Sequence, residues 1–437
     1  MNTREQAEFK RRRNRLMELM APGSIAILGA AQQTVRNRYV SHPFRQDSDF
    51  FYLTGFDIPD AFLVLIPERE TAQTIFFCAE HDAKNRMWHG AQIGPDEAIA
   101  SLGVDDAFPI EDIDDILPGL LETKTRIYAN LGHHDNFDHK LMAWLEGTDT
   151  DADNGRTQHR LSDLSYLLHD LRLIKSANEQ KMIRTAAAIS ARAHNRAMQW
   201  VKPGAWEYQL DAELQHEFAM AGARRAAYIS IVASGKNNCV LHYTANNSQF
   251  RSGDLVLVDA GCEYQHYASD ISRTYPISGT FSAAQRAIYT LVLEAQCAAI
   301  AAIVPEAGFS ESHDAAYRVF AAGLMRLGIT DSLDADLSPW FMHRTSHWLG
   351  LDVHDVGEYR IDKQWRTLEP GMVLAVEPGL YFQPDDTRIA AKWRGIGVRI
   401  EDMVLVTKTG HEVLSADAIK DPDAIEHWMN KDRHRLL

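Results

Sequence analysis

Short apolar runs alternate with longer helical segments along the first third of the chain. The runs Ser24–Gly29, Ala61–Ile66, Thr74–Cys78 and Arg126–Ala129 predict short buried strands. Residues 4–20 have the spacing of a helix instead. Because strands separated by helical stretches are typical of a sheet covered by helices, we predict an α/β domain in this part of the chain.

The pattern changes near residue 170. A polar stretch rich in turn formers at 147–160 predicts a loop. Beyond it, Ser176 with Glu179 three residues later predicts the start of a long helix. The later predicted elements are long helices with strands between them: helices at 176–200, 206–222 and 283–304, and strands at 227–233 and 254–260. We therefore predict two domains, residues 1–170 and residues 171–437, of which the second is α+β.

Two stretches of the second half share one pattern. Gly253–Gly261 and Gly371–Gly379 each contain a turn glycine, an apolar strand, an acid and a second glycine. Buried strands resemble one another, so a match of this kind is weak by itself. If the two stretches are related, they deliver Asp259 and Glu377 from two strand ends to one shared centre.

Four carboxylates occupy apolar surroundings where burial is costly. Asp259 and Glu377 each end an apolar strand, Glu401 lies within an apolar run, and Asp270 follows Asp259 across a predicted hairpin. A desolvated carboxylate needs a cation or several hydrogen-bond donors. One such acid is most simply a surface cap or the partner of an arginine. Four of them exceed what Arg399 can neutralise, and a multivalent metal centre accounts for them better.

Histidines cluster beside these acids. His343, His347 and His354 lie within one short segment, and His242 precedes the acids in the chain. A lone histidine among aromatic residues is usually structural, but several beside four misplaced acids favour a site. A ligand set rich in oxygen with a single histidine suits Mn²⁺ or Co²⁺ better than structural zinc, which prefers thiolate and imidazole ligands.

Composition and charge narrow the class of partner. The chain has 437 residues and a formal net charge of -15, which argues against a nucleic-acid partner. It shows neither a targeting segment nor an apolar run long enough to span a bilayer, so we expect a cytoplasmic protein with no membrane partner. The four scattered cysteines, without CxxC spacing, suit reduced thiols.

The motifs around the candidate ligands carry a family resemblance. They are Asp259–Cys262, Ser269–Thr274, Ser346–Asp355, Val376–Tyr381 and Gly397–Asp402, together with Phe44–Phe56 in the N-terminal part. In this order they closely resemble bacterial Xaa-Pro aminopeptidases (aminopeptidase P), which belong to the pita-bread superfamily with prolidase, methionine aminopeptidase and creatinase. The resemblance covers nearly the whole chain. It implies an α/β N-terminal domain followed by an α+β pita-bread catalytic domain.

The resemblance also implies a ligand set and a cofactor. Two divalent metal ions are expected, Mn²⁺ first, with Co²⁺ or Zn²⁺ as alternatives. Five residues match the metal ligands: Asp259, Asp270, His347, Glu377 and Glu401. Of these, Asp270 and Glu401 would bridge the two ions. Catalytic positions are matched by His242, His343, His354 and Glu377, and substrate-lining positions by Tyr228, Tyr381 and Arg399. Trp88 matches a position that closes a neighbouring subunit's active site, so a homo-oligomer, a dimer or tetramer, is expected.

The activity implied by the resemblance is removal of the N-terminal residue from peptides with proline in second position, by attack of a hydroxide that bridges two metal ions. The alternative is prolidase, which shares the ligands but cleaves only dipeptides. A second alternative is not an enzyme: the chain could be a catalytically silent binding protein of the same fold. After His343, where the superfamily commonly has glycine, this chain has Arg344, which bears on contacts to the leaving group and not on the ligand set.

Overall fold

The computed structural model describes residues 3–80, 86–88, 90–132, 135–147 and 159–431. The chain divides into two compact units, Met1–Arg172 and Leu173–Leu437. Most of the loop predicted at 147–160 lies outside the described residues. Within the part of the chain that the structure describes, no helix has both the length and the apolar character needed to cross a membrane.

The first unit is built on one mixed sheet. Its strands are β1 (Ser24–Gly29), β2 (Val35–Asn37), β3 (Val40–Ser41), β4 (Phe62–Leu65), β5 (Thr74–Cys78), β6 (Asp106–Pro109), β7 (Arg126–Ala129) and β8 (Arg160–Asp163). Its helices are α1 (Thr3–Leu19), α2 (Ser48–Thr54), α3 (Pro95–Leu102), α4 (Ile113–Leu121), α5 (Asp135–Gly147) and α6 (Ser165–Leu173). The sheet has six strands in the order β6-β5-β4-β1-β7-β8, while β2 and β3 form a separate hairpin. The predicted α/β class is confirmed for this unit.

The apolar runs of the sequence form the centre of this sheet. β1 pairs with β4 antiparallel and with β7 parallel. All residues of β4 and β5 are buried. Strands covered on both faces need continuous apolar sequence, which is why their bounds could be predicted closely from the sequence.

The Phe44–Phe56 motif is anchored by a buried charge cluster in the first unit. Asp49 accepts a hydrogen bond from Arg172 Nη1 at 2.7 Å, and its Oδ2 lies 3.1 Å from His169 Nε2. Burial by itself raises the pKa of Asp49, but the hydrogen bond with His169 and the charge of Arg172 outweigh it and lower that pKa to about 2. The carboxylate is therefore ionised and ties α2 to α6.

Over its described residues, the second unit contains five α-helices and many short strands. Its strands are β9 (Arg225–Ala226), β10 (Ile231–Ser234), β11 (Leu255–Asp259), β12 (Cys262–Tyr264), β13 (Tyr267–Ala268), β14 (Ser272–Pro276), β15 (Ser346–Trp348), β16 (Arg360–Ile361), β17 (Gln364–Trp365), β18 (Val373–Val376), β19 (Gly379–Tyr381), β20 (Gly397–Arg399), β21 (Asp402–Val406) and β22 (His411–Val413). Its helices are α7 (Ala177–Trp200), α8 (Glu207–Met220), α9 (Ala283–Ala301), α10 (Glu311–Arg326) and α11 (Pro422–Asn430).

Two antiparallel sheets of this unit carry the candidate ligands. One has the order β10-β11-β14 and the other the order β15-β18-β21-β22. A large apolar cluster joins buried residues of the helices to buried residues of both sheets, among them Ile288, Phe320, Val256 and Leu374. Long helices packed on short antiparallel strands confirm the predicted α+β class.

The helix predicted from Ser176 is confirmed. Ser176 Oγ accepts from the Glu179 backbone N–H, and the Ser176 N–H donates to Glu179 Oε2 at 2.8 Å. This capping box satisfies two backbone donors at the helix start. The strand predicted at 227–233 was wrong in its first half, because β10 begins only at Ile231. The carbonyl of Ser230 accepts from the Asn246 side chain instead of a neighbouring strand.

The two stretches that share this pattern become strands in different sheets. Gly253 and Gly371 precede β11 and β18 and have φ angles of 86° and 101°, a backbone conformation that favours glycine. Asp259 is the last residue of β11, and Glu377 follows β18 directly. Both acids therefore leave the ends of buried strands, as the pattern predicted. All four cysteines are free thiols.

Candidate metal centre

The register of the three-stranded sheet brings the first two acids together. β11 pairs antiparallel with β14, so that Asp259 lies opposite Ser272. Asp270 is two residues before Ser272 in the chain, and its side chain is buried. The connection between β11 and β14 thus returns Asp270 to the end of the strand that carries Asp259.

The four-stranded sheet supplies the other three candidate ligands. Its strand β18 lies between β15 and β21, with Val376 opposite both Ser346 and Asp402. His347 follows Ser346, Glu377 follows Val376, and Glu401 precedes Asp402 in the chain. One register therefore sets these three side chains at the same end of the sheet.

Three of the five candidate ligands form a compact group. Asp270, His347 and Glu401 each offer one ligand atom, and these atoms all lie within 4.8 Å of one another. His347 Nε2 is 3.5 Å from Asp270 Oδ2 and 3.9 Å from Glu401 Oε1. Glu377 Oε1 lies 3.8 Å from the same nitrogen. These separations suit oxygen and nitrogen atoms arranged around a cation.

Asp259 joins the group through a tyrosine and an arginine. The Tyr228 hydroxyl oxygen lies 2.5 Å from Asp259 Oδ1 and 2.5 Å from Asp270 Oδ1. Arg399 Nη2 donates to Asp259 Oδ2 at 2.6 Å. A phenol has one proton and can donate to only one carboxylate at a time. The tyrosine therefore satisfies only one of the two Oδ1 atoms at a time, and the other can take a positive partner.

Sequence reasoning missed two residues that position this site. Ser272 Oγ donates to Glu401 Oε2 at 2.9 Å and accepts from Arg399 Nε at 2.9 Å. Arg273 is fully buried and donates to the Glu401 carbonyl oxygen and to Asp402 Oδ1. Both residues lie in the Ser269–Thr274 motif, so the motif was the signal that could have found them.

The acids carry more negative charge than their surroundings neutralise. Burial, and then the charge of Glu401, raise the pKa of Glu377 to about 8. Burial, followed by the charge of a neighbouring acid, also raises the pKa of Asp270 and of Glu401 well above the ordinary values. Such acids either hold protons or face a cation. A buried donor set of carboxylates with one imidazole fits divalent metal ions.

The remaining histidines surround the ligand group. The ring centres of His354 and His347 are 4.4 Å apart. Burial, and then the charge of His347, lower the pKa of His354. His343 Nε2 lies 2.9 Å from the Tyr381 hydroxyl, and burial with the nearby Arg399 charge lowers the pKa of His343 to about 4. At neutral pH, His343 is therefore uncharged, and its two ring nitrogens lie against the Tyr381 hydroxyl and the Arg344 carbonyl oxygen.

One cavity of about 1020 Å³ connects these side chains. It is lined by all the predicted site residues of the second unit except Tyr381, which is fully buried behind His343 and Arg399. It is also lined by residues that the sequence did not single out for the site: Ile229, Ile231, Leu241, Thr244, Phe309, Ser346, Val353, Glu358, Tyr359, Arg360 and Trp365.

Trp88 lies in the first unit with 76% of its side chain exposed. Its role toward a neighbouring subunit stays a prediction.

A buried ion pair supports the segment between His347 and His354. Lys175 Nζ donates to Asp355 Oδ2 at 2.8 Å, and both side chains are only 1% exposed. The pair passes so close to Gly350 that a Cβ there would lie 2.1 Å from Asp355 Oδ2. Glycine is therefore required at this position because of space.

We expect Gly350→Ala to lower both stability and activity. The methyl group displaces Asp355 and the adjacent His354, and forced overpacking of this kind costs about 1–3 kcal/mol. The measurement is thermal unfolding together with peptide turnover. Gly410→Ala is the matched control, because a Cβ at Gly410 meets nothing within 4 Å. Equal melting and turnover in the two variants would show that the ion pair yields freely to the methyl group.

Comparisons with known proteins agree with this geometry. Residues 181–408 match the model for metallopeptidase family M24, and residues 9–128 match the aminopeptidase P N-terminal domain. The chain is 44% identical to the Xaa-Pro aminopeptidase of Escherichia coli over 430 residues, which are 97% of each chain. It is 40% identical to that of Haemophilus influenzae, again over 97% of each chain.

A solved structure gives the same result for the fold. The structure of Pseudomonas aeruginosa aminopeptidase PepP matches with a TM-score of 0.95 and 51% sequence identity, covering 98% of this chain and 99% of that one. Fold and site together define a metallopeptidase of the pita-bread type. Within that class, the chain belongs to the bacterial Xaa-Pro aminopeptidase (aminopeptidase P) family of M24. The predicted pita-bread fold is thereby confirmed.

Proposed function

We propose that this Xaa-Pro aminopeptidase holds two divalent ions, Mn²⁺ first, and releases the first residue of peptides with proline in second position. The observation that carries the proposal is the compact buried group of Asp270, His347 and Glu401. Asp259 and Glu377 flank it and would complete the ligand set. Ions bound there would polarise a carbonyl oxygen and activate water at neutral pH.

The end of the cavity near Asp259 suits the substrate's free amine. Asp259 is held from two sides by Tyr228 and Arg399, so its carboxylate is fixed in direction. An ammonium or amine group placed against it gains a charged partner inside a buried site. Peptides extend away from this point in one direction only, which explains why a single residue would be released.

Glu377 is placed to handle the proton of the reaction. Burial and the charge of Glu401 raise its pKa to about 8, which supports a carboxyl group that exchanges protons in this cavity. A carboxyl group of that kind can take a proton from the attacking water and return it to the departing proline nitrogen. The proline amide has no N–H, so a site that donates a proton to its nitrogen loses nothing by that absence.

The histidines would stabilise the oxygen on which charge develops. His242 and His354 line the cavity, and the pKa of His354 is lowered by burial and by His347. A neutral imidazole can donate through one ring nitrogen. Donors that are fixed before the reaction stabilise developing charge without further rearrangement. His343, held by Tyr381, would position the leaving proline side of the substrate.

Peptide turnover tests the function. We expect the Mn²⁺-loaded protein to cleave Ala-Pro-Ala, but to cleave acetyl-Ala-Pro-Ala or Ala-Ala-Ala at least about a hundredfold more slowly, because only the first peptide offers both the amine and the proline. Equal rates on all three peptides would contradict the proposal. Cleavage of Ala-Pro without cleavage of Ala-Pro-Ala would identify the activity as that of a prolidase instead.

We propose Mn²⁺ as the metal and a homo-oligomer, a dimer or tetramer, as the assembly. Oxygen ligands in excess over imidazole favour Mn²⁺ over structural zinc, with Co²⁺ or Zn²⁺ as alternatives. Met87 and Trp88 are 81% and 76% exposed on the first unit, which is consistent with a homo-oligomer in which such side chains meet a second copy.

A further inference from the structure

Two arginines and a tryptophan form an exposed edge of the catalytic cavity. Arg344, Arg360 and Trp365 all line it. The guanidinium carbon of Arg360 lies 3.9 Å from the centre of the Trp365 ring, and that of Arg344 lies 4.7 Å from it. Both distances are those of cation–π contacts. We call these three residues the arginine–tryptophan rim.

Trp365 is a fixed platform within the rim. It pairs with Arg360 across the β16–β17 hairpin, so the two residues are held face to face by the backbone. Its ring centre lies 6.0 Å from that of Phe309, and the side chain is partly buried against the apolar core. The indole therefore holds its position when a ligand enters.

Arg344 is held beside a proposed catalytic histidine. Its carbonyl oxygen lies 2.9 Å from His343 Nδ1, and the next carbonyl, of Thr345, accepts from the Glu377 backbone N–H at 2.7 Å. The φ angle of Arg344 is not positive, so its backbone conformation does not require the glycine common in the superfamily. The exchange of glycine for arginine thus adds a cation to the cavity without straining the main chain.

The rim holds two positive charges without a carboxylate partner. Across the described part of the chain, neither the Arg344 nor the Arg360 guanidinium forms an ion pair or a hydrogen bond. Glu358 also lines the cavity, but among the described residues it makes no ion pair with either arginine. Two cations that converge on one ring repel each other, and an anion between them removes that cost. The planar guanidinium groups match a carboxylate in shape and hydrogen bonding.

A peptide bound with its amine at the buried acids would extend outward toward the rim. The ligand acids lie at the buried end of the cavity, since Asp270 and Glu401 are 5% and 1% exposed. The two rim arginines are exposed at its mouth. If the substrate's amine occupies the buried end, as the proposed function requires, the remainder of the peptide extends outward at about 3.3–3.6 Å per residue.

Resting on that function, we propose that the arginine–tryptophan rim binds a carboxylate on the residue that follows proline. Two sources offer this chemistry. One is the terminal carboxylate of a tripeptide, and the other is an aspartate or glutamate side chain in third position of a longer peptide. Arg344 and Arg360 are then specificity-determining residues, and this protein prefers acidic peptides or short ones.

Four peptides separate the two sources. Ala-Pro-Ala against Ala-Pro-Ala amide tests the terminal carboxylate, and Ala-Pro-Glu amide against Ala-Pro-Gln amide tests the side chain. We expect the Mn²⁺-loaded protein to show a KM about tenfold lower for the acidic member of at least one pair, since hydrogen bonds to charged groups exceed neutral ones. The turnover number should change little, because binding of this kind is common to ground and transition states.

Variants assign the preference to the rim. In Arg344→Gln/Arg360→Gln the difference within the responsive pair should fall to less than about twofold, and 0.5 M salt should reduce it in the parent protein. Arg318→Gln is the matched control, because Arg318 is exposed on α10 and does not line the cavity. Both rim arginines are exposed, and a thermal melt verifies that the variants are folded.

Each outcome decides the matter. A preference that disappears in the double variant and persists in the control supports the rim. A parent protein that cleaves both members of each pair equally well overturns it, as does a preference that survives in the double variant. A protein that cleaves none of the four peptides overturns the proposed aminopeptidase function and the rim together.

Discussion

Glu401→Ala is expected to remove bound metal and almost all activity while the protein remains folded. Glu401 is fully buried, its carboxylate lies 3.9 Å from His347 Nε2, and we propose that it bridges both ions. Loss of a shared ligand affects the two sites at once. Metal analysis should show about two ions in the parent protein and close to none in the variant, and turnover should fall on the order of a thousandfold or more.

Two further variants sharpen this test. Asp270→Ala should behave in the same way, since Asp270 is the second proposed bridge. Glu358→Ala is the matched control, because it removes a carboxylate that lines the same cavity but lies outside the ligand group. Full metal content in both Asp270→Ala and Glu401→Ala would remove the bridging assignment.

The second large effect is expected from His354→Ala, which should keep its metal and lose most of its turnover. The ring of His354 lies 4.4 Å from that of His347 and faces the cavity, but His354 is not part of the compact ligand group. Removal of a fixed donor aimed at developing charge commonly lowers turnover about a hundredfold to a thousandfold. Metal analysis, kinetics and a thermal melt on one preparation measure this.

His347→Ala provides the contrast. Its loss removes a nitrogen ligand, so bound metal and melting temperature should fall together, because metal affinity is linked to folding. The two variants are closely matched, because each removes one histidine ring and the two rings lie only 4.4 Å apart. A metal-depleted His354→Ala beside a fully loaded His347→Ala would mean that the two roles are reversed.

Much of the fold could be predicted from the sequence. The bounds of β1, β5 and β7 agree with the predicted runs, and Ser176 begins its helix as predicted. These features are local, because an apolar run or a capping box depends only on residues that are neighbours in the sequence. The prediction of a strand at 227–233 was wrong for its first half because the chain bends at 227–228 and the Ala227 N–H bonds to the Gly261 carbonyl, a distant contact that local sequence does not display.

The candidate site divides in the same way. An acid at the end of an apolar run is visible in the sequence, which is how Asp259 and Glu377 were found. The contact between Asp259 and Arg399 joins residues 140 positions apart that end strands of two different sheets, β11 and β20, and only the packing of the folded chain brings them together. Tyr228, which lies against two carboxylates, likewise has its partners only in the folded chain.

By itself, the sequence determined the long helices and apolar strands that were predicted, the two classes of domain and the identity of the candidate ligands, because burial patterns and motifs are local. The tertiary structure alone decided which carboxylates lie close enough to repel one another and therefore have raised pKa values, since Coulomb interactions depend on distance through space. It also decided that Arg344 and Arg360 meet on Trp365. Arg360 and Trp365 are brought together by the strands β16 and β17. These strands have two residues each and are too short to be recognised from hydrophobic periodicity.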